Sequence, residues 1–190
     1  MPLRCLHALL AFAGCLWYVP ACAGADIEAL TKKLGKDLAC SACAHSTHSL
    51  RMLLGSKVKK SMKRKEKRKV AKGVLTAACA EDRFPSQLSI SGEEGKRQYA
   101  DFQEMISKGG SLTNLNMKPE NRKDVSEVCA AIASDLGAEI VEKAATYKDR
   151  LGGFNWERWL CVKQLQVCEA TLMHQSDEDD DADEEPEEEL

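Results

Sequence analysis

The chain has 190 residues with 27 Lys+Arg against 30 Asp+Glu, nine Cys and 5% aromatic residues, which bounds it to one modest domain. Twelve Gly and five Pro exclude a collagen-like or Pro-rich chain, and a mean hydropathy of -0.37 does not suit a polytopic membrane protein. The net charge of -3 is unevenly spread: +1 in residues 1–25, +7 in residues 26–176 and -11 in residues 177–190.

Arg4 precedes an apolar run from Cys5 to Val19, and Ala21-Cys22-Ala23 or Ala23-Gly24-Ala25 then offers small residues at cleavage positions. This pattern reads as a secretory signal peptide over residues 1–25. The run is shorter than the roughly 20 residues of a membrane span. The mature chain is therefore expected to be soluble and lumenal or extracellular, with residues 26–176 as its folded domain. Removal of the leader discards Cys5, Cys15 and Cys22 and leaves Cys40, Cys43, Cys79, Cys129, Cys161 and Cys168. An even number of cysteines in an oxidising compartment points to a disulfide framework, with fifteen connectivities open to six cysteines.

Ile27, Leu30, Leu34 and Leu38 recur at helical steps behind Asp26, which is placed as an N-cap. The spacing predicts one helix that carries Cys40 and Cys43 and runs through Leu50, Leu53 and Leu54 to Gly55. Between Lys57 and Lys72 stand ten Lys/Arg and a single acid, Glu66, with Val58, Met62, Val70, Val74 and Leu75 interspersed, so a basic helix leading to Cys79 follows. Pro85, Gly92 and Gly95 mark turns, and the alternation around Leu88 and Ile90 allows a small strand. Tyr99, Phe102, Met105 and Ile106 predict a short helix that stops at Gly109-Gly110, and Ser111 to Lys123 reads as loop.

Val125, Val128, Ile132, Leu136, Ile140, Ala144, Tyr147 and Leu151 then keep to steps of three and four. They predict a single long helix ended by Gly152-Gly153, followed by a shorter helical segment with Trp156, Trp159, Leu160, Cys161 and Cys168. Asp177 to Leu190 holds 11 acids in 14 residues and no apolar face, the composition of a disordered tail.

Two cysteines three apart on the first helix, two in the middle and two near the end suggest nested staples, the first pair bonded to the last. This order resembles the saposin-like fold, and within it the canopy family of endoplasmic reticulum proteins. The resemblance is carried by Cys40-Ser-Ala-Cys43, by Cys79 closing a charged helix, and by the block from Val128-Cys129 through Ile132, Glu139-Ile140 and Lys148 to Leu160-Cys161 and Cys168. The 49 residues between Cys79 and Cys129 exceed what a plain saposin hairpin needs. The expected architecture is mainly α: a saposin-like, disulfide-clamped helical bundle with a larger irregular insert between the third and fourth mature cysteines. The nested pairing is Cys40 with Cys168, Cys43 with Cys161 and Cys79 with Cys129. Canopy-like proteins commonly end in a KDEL-like tetrapeptide. Here Glu187-Glu188-Glu189-Leu190 has Glu-Glu in place of Lys-Asp, so retention in the endoplasmic reticulum with partial escape into secretion is expected.

What the resemblance implies is a lumenal chaperone or co-chaperone. It would assist folding, assembly or export of membrane or secreted client proteins beside a lumenal heat-shock chaperone, by non-covalent docking and not as an enzyme. The contact candidates are Lys63, Arg64, Lys65, Lys67, Arg68 and Lys69, together with the Trp156/Trp159 region, for which core packing is the favoured reading because the two stand three apart on one helical face. A secretory leader removes the nuclear or nucleic-acid reading of that basic run. What remains is a solvated face, an acidic client or chaperone, an anionic membrane surface, or the chain's own acidic tail.

The same cysteines and their neighbouring histidines suggest two other chemistries. Cys40-Ser-Ala-Cys43 invites thiol exchange, but it sits inside a predicted helix without a preceding strand, and four further cysteines can occupy both thiols. Cys40, Cys43, His45 and His48 look like a zinc set, yet on a helix His45 points about 160° away from Cys43, and oxidised thiols bind no zinc. No metal and no cofactor is expected. A lipid-binding saposin-like protein is the second reading, since anionic head groups would match the basic run.

Overall fold

The computed structural model describes residues 26–108 and 116–169. The expected leader (1–25), the Gly109-Gly110 helix stop and the acidic tail with Glu187 to Leu190 lie outside the described residues. Among those described, the chain is a mainly helical bundle clamped by three disulfides, with one small sheet.

Asp26 caps α1 (Ile27–Leu34) by accepting the Glu28 amide at 2.9 Å. The single helix predicted from there to Gly55 is broken at Gly35, whose φ of +91° an L side chain rarely adopts. A Cβ at that position would lie 2.8 Å from the Arg97 guanidinium. The break turns α1 toward α5 (Pro119–Asp135), where Lys33 bridges Asp124 at 3.1 Å and Glu127 at 3.4 Å.

α2 (Lys36–Lys57) is the central element, touching α1, α3 (Arg64–Ala78), α5 and strand β2 (Gln98–Asp101). Leu38, Ala42, Leu50 and Leu54 on it are buried. Ser46, Thr47 and Ser49 are buried too, and each hydroxyl donates to a carbonyl: Ala42 and Ala44 within the helix, and Ala78 at the end of α3. Pairing the hydroxyls is what lets polar residues stay in the core.

The insert between Cys79 and Cys129 holds a 3₁₀ turn (Glu81–Arg83), a three-stranded antiparallel sheet in the order β2-β1-β3, and the six-residue α4 (Phe102–Ser107). β1 is Leu88–Ser91 and β3 is Asn116–Met117. Tyr99, predicted on a helix, stands instead on β2 opposite Ile90. Part of the predicted loop 111–123 is also regular, since it contains β3 and the start of α5. Asn121, buried at that start, donates to the Leu88 and Asn116 carbonyls at 3.0 and 2.9 Å and ties α5 to the sheet.

The long helix predicted over 125–151 is two helices, α5 and α6 (Gly137–Thr146), parted at Leu136, where φ and ψ are -115° and 12°. The apolar stripe continues across the break, so its periodicity gave no sign of it. The bend lets α5 pack on α2 while α6 packs on α3. α6 stops at Thr146 rather than at Gly152-Gly153, with Tyr147 already extended. Beyond it Tyr147, Phe154, Trp156 and Trp159 form an aromatic cluster, with edge-on ring pairs 4.9 to 5.6 Å apart. A π-helical segment, Arg158–Gln164, then carries Cys161 to Cys43.

Candidate functional site

The basic run predicted as a partner contact divides by environment. Arg64 and Arg68 both reach Glu142 on α6, and the hydrogen bonds from Arg64 and then Arg68, with their charge adding to them, hold its carboxyl below the usual range. Lys67 is buried at 8% exposure, on the same side of α3 as Ala71, Val74 and Leu75. Lys67 is therefore engaged within the body of the protein, whereas Arg64 and Arg68 stay exposed and form surface ion pairs with α6: helix rotation decides which residue is buried, regardless of its charge. Lys63, Lys65 and Lys69 are exposed. Trp156 is buried and donates its indole N–H to the Leu151 carbonyl at 3.1 Å, which removes it as a contact residue; Trp159 is half-buried against it.

A second surface had no signal in the sequence. One side of α2 from Lys36 to Ser49, together with β2 packed beside it and the Arg83–Pro85 segment, lines an open groove of about 1210 Å³. Its apolar lining comes from Ala44, Phe84, Pro85, Val167 and Cys40, the last bonded to Cys168. Charged groups of both signs stand around it, among them Lys36, Arg83, His48, Asp101 and Glu104. The Glu104 carboxyl lies below its usual range, chiefly through the hydrogen bond from Lys108 and further through His45 and His48.

Two contacts fix β2 as one wall. The Tyr99 amide donates to Ser41 Oγ at 2.8 Å, and His45 Nε2 lies 3.0 Å from the Tyr99 carbonyl. A carbonyl only accepts, so Nε2 carries the proton in this contact. The outer edge of β2 is thus closed by α2 side chains and is not open to a further strand. Tyr99 itself is buried, and burial pushes its phenol above the ordinary value.

The hairpin end of the groove is held by Asp37. Its Oδ2 accepts from the Gly95 amide at 3.1 Å, the Arg97 amide at 3.0 Å and Arg97 Nε at 2.9 Å, while Oδ1 accepts from the Leu38 amide and a second guanidinium nitrogen, both at 2.9 Å. The guanidinium holds the Asp37 carboxyl well below the usual carboxylate range.

The six cysteines of residues 26–176 are joined as Cys40–Cys168, Cys43–Cys161 and Cys79–Cys129. Cys43, Cys129 and Cys161 are wholly buried, whereas Cys40 is half-buried at the groove. His45 is engaged by Tyr99 and His48 is exposed at the rim. Among the described residues no helix is long and apolar enough to cross a membrane. Comparison with known protein families, with curated proteins and with solved structures finds no match.

Proposed function

We propose that the chain is a lumenal chaperone or co-chaperone of the secretory pathway, which holds segments of membrane or secreted client proteins by non-covalent docking. The open groove along α2 carries the reading. At about 1210 Å³ it exceeds the ~300–1,000 Å³ of a small-molecule cleft, and its apolar lining with charges of both signs suits a peptide segment or surface loop. The sequence supports the compartment through its signal-like leader, its Glu187 to Leu190 terminus and the canopy resemblance. The three disulfides are consistent with an oxidising lumen.

The test is in-cell crosslinking and affinity isolation of the full chain and of Ala44→Trp, which fills the groove from the half-buried side of α2 that lines it. The expected result is recovery of secretory-pathway proteins with the wild type, alongside a lumenal heat-shock chaperone, and their loss with Ala44→Trp at unchanged circular dichroism. Recovery that ignores the substitution would overturn the groove as the docking site. Imaging with and without Glu187 to Leu190 checks retention.

The exposed lysines of α3 favour one second reading, attachment to anionic membranes. Co-sedimentation with phosphatidylserine vesicles separates the two, since such binding would follow the lysines and be indifferent to Ala44→Trp. Thiol exchange is checked by alkylating the native protein: no label is expected on Cys40 or Cys43.

A further inference from the structure

α3 places Lys65, Lys69 and Lys72 at steps of four and three, all exposed and opposite its buried side at Ala71, Val74 and Ala78. Lys57 at the end of α2, and Lys59 and Lys63 in the connection to α3, are exposed as well. None of these six lysines has an acidic partner among the described residues. The neighbouring cations do: Lys60 pairs with Asp149 at 3.4 Å, and Arg64 and Arg68 with Glu142. Lys60, Arg64 and Arg68 are thus paired with acids at the surface, while Lys65, Lys69 and Lys72 form an exposed stripe of mutually repelling lysines. The N-terminus of α3 adds to this field, because its N-cap residue, Lys63, supplies no side-chain cap and stands with Arg64 and Lys65 at the positive end of the helix dipole.

The complementary charge is in the same chain, as 11 acids over 177–190. The described body ends at Glu169, which pairs with Lys36 at 3.2 Å at the start of α2. From Glu169 to Asp177 an extended chain reaches about 26 Å. Ser49, hydrogen-bonded to Ala78 at the end of α3, is about 20 Å along α2 from Lys36. The first acids therefore reach the C-terminal end of α3. The 14 residues that follow, about 46 Å when extended, exceed the helix length of about 22 Å.

We propose that the acidic run 177–190 docks on the Lys65, Lys69 and Lys72 stripe and the cations at its N-terminal end, as an intramolecular, salt-sensitive cover that an acidic protein segment displaces. A short tether supplies a millimolar effective concentration, enough for many weak ion pairs to hold collectively. The contact is independent of whether the groove receives a client, so an isolation experiment without clients leaves it untouched.

The direct test is zero-length carbodiimide coupling of the dilute full chain, followed by reduction and peptide mapping. In the monomer at about 0.02 M salt, isopeptide bonds from the tail carboxylates are expected chiefly at Lys65, Lys69 and Lys72, and they are expected to vanish near 0.5 M salt. Coupling spread over exposed lysines elsewhere, such as Lys32 and Lys108, would overturn the proposal. So would coupling that is insensitive to salt. The second measurement uses an oligoglutamate peptide as probe. It is expected to bind about tenfold more tightly once the eleven tail acids are replaced by Asn and Gln, and to lose that gain when Lys65, Lys69 and Lys72 are also changed to Gln. Equal affinity with charged and neutral tails contradicts a cover, and vesicle binding that is the same with either tail does too.

Discussion

At the scale of single residues the most consequential group is Asp37, whose charge nothing in the sequence distinguishes from that of any first-turn acid. Its role depends on the hairpin residues Gly95 and Arg97, about 60 positions away, folding back onto α2. The Asp37 side chain is 8% exposed and that of Arg97 is 33% exposed, so water partly screens the guanidinium, and the pair ranks below a wholly buried one. Asp37→Ala is expected to cost about 2–3 kcal/mol, since the lost bonds all go to a charged acceptor. The pH dependence has a definite sign. The folded carboxyl titrates below its unfolded value of about 3.9, so its contribution is complete above that value and is lost as pH falls through it towards the folded pKa. In urea titrations the gap between wild type and Asp37→Ala should stay constant from about pH 6 to 8 and narrow below about pH 4. A gap that widens on acidification would contradict this account. Lys67 illustrates the same limit on reading residues alone: the sequence shows a lysine among lysines, and only helix rotation decides that this one is buried.

At the scale of elements, the helices with sustained apolar spacing were legible and their interruptions were not. Asp26 announced the start of α1 because capping is local chemistry. The break at Leu136 was silent because Val125, Ile132, Ile140 and Ala144 keep their spacing through it and all four are buried. β1 left a trace in Leu88 and Ile90, but β3, with two residues, is too short for any alternation, and β2 was overwritten by the helical spacing of Tyr99 and Phe102. The helical glycines carry a comparable ambiguity that the structure resolves. A Cβ on Gly55 would sit 3.1 and 3.2 Å from the Cα and N of Gly152, where backbone must move, whereas one on Gly73 in α3 meets nothing within 4 Å. Gly73→Ala should therefore stabilise the protein by about 0.5–1 kcal/mol through lower unfolded-state entropy and better helix propensity. Gly55→Ala should destabilise it by roughly 1–3 kcal/mol by forcing α2 away from the Leu151–Gly152 turn. Thermal unfolding of both variants side by side checks the pair, and a common sign of effect would refute the close approach.

At the scale of the whole molecule, the even cysteine count and the cysteine order were legible, whereas the groove was not, because it is made by segments brought together from Lys36, Phe84, Tyr99 and Val167. The disulfides tie these distant parts with separations of 128, 118 and 50 residues, and loops of that length are where the chain-entropy model assigns the largest stabilisation, about 4–5 kcal/mol near 100 residues. Their surroundings differ, and exchange requires a thiolate to reach a sulfur in line. Cys43–Cys161 is wholly buried, and Cys79–Cys129 is shielded by the wholly buried Cys129, while Cys40 is half-buried at the open groove. Stepwise reduction with a dithiol reagent, quenched by alkylation and mapped by mass, should thus label Cys40 and Cys168 before the other four. The loss of that outermost bond alone should leave the bundle cooperative, because Cys43–Cys161 still anchors the π-helical segment to α2 seven residues upstream of Cys168. The stretch from Leu165 to Glu169 would then be held by packing, by the Leu165 and Cys168 amides donating to the Leu160 and Cys161 carbonyls at 2.9 and 3.1 Å, and by the Lys36 pair. Val167 lines the groove, so its release should also enlarge the opening. First labelling at Cys79 and Cys129 would show that access through the groove does not set the order of reduction.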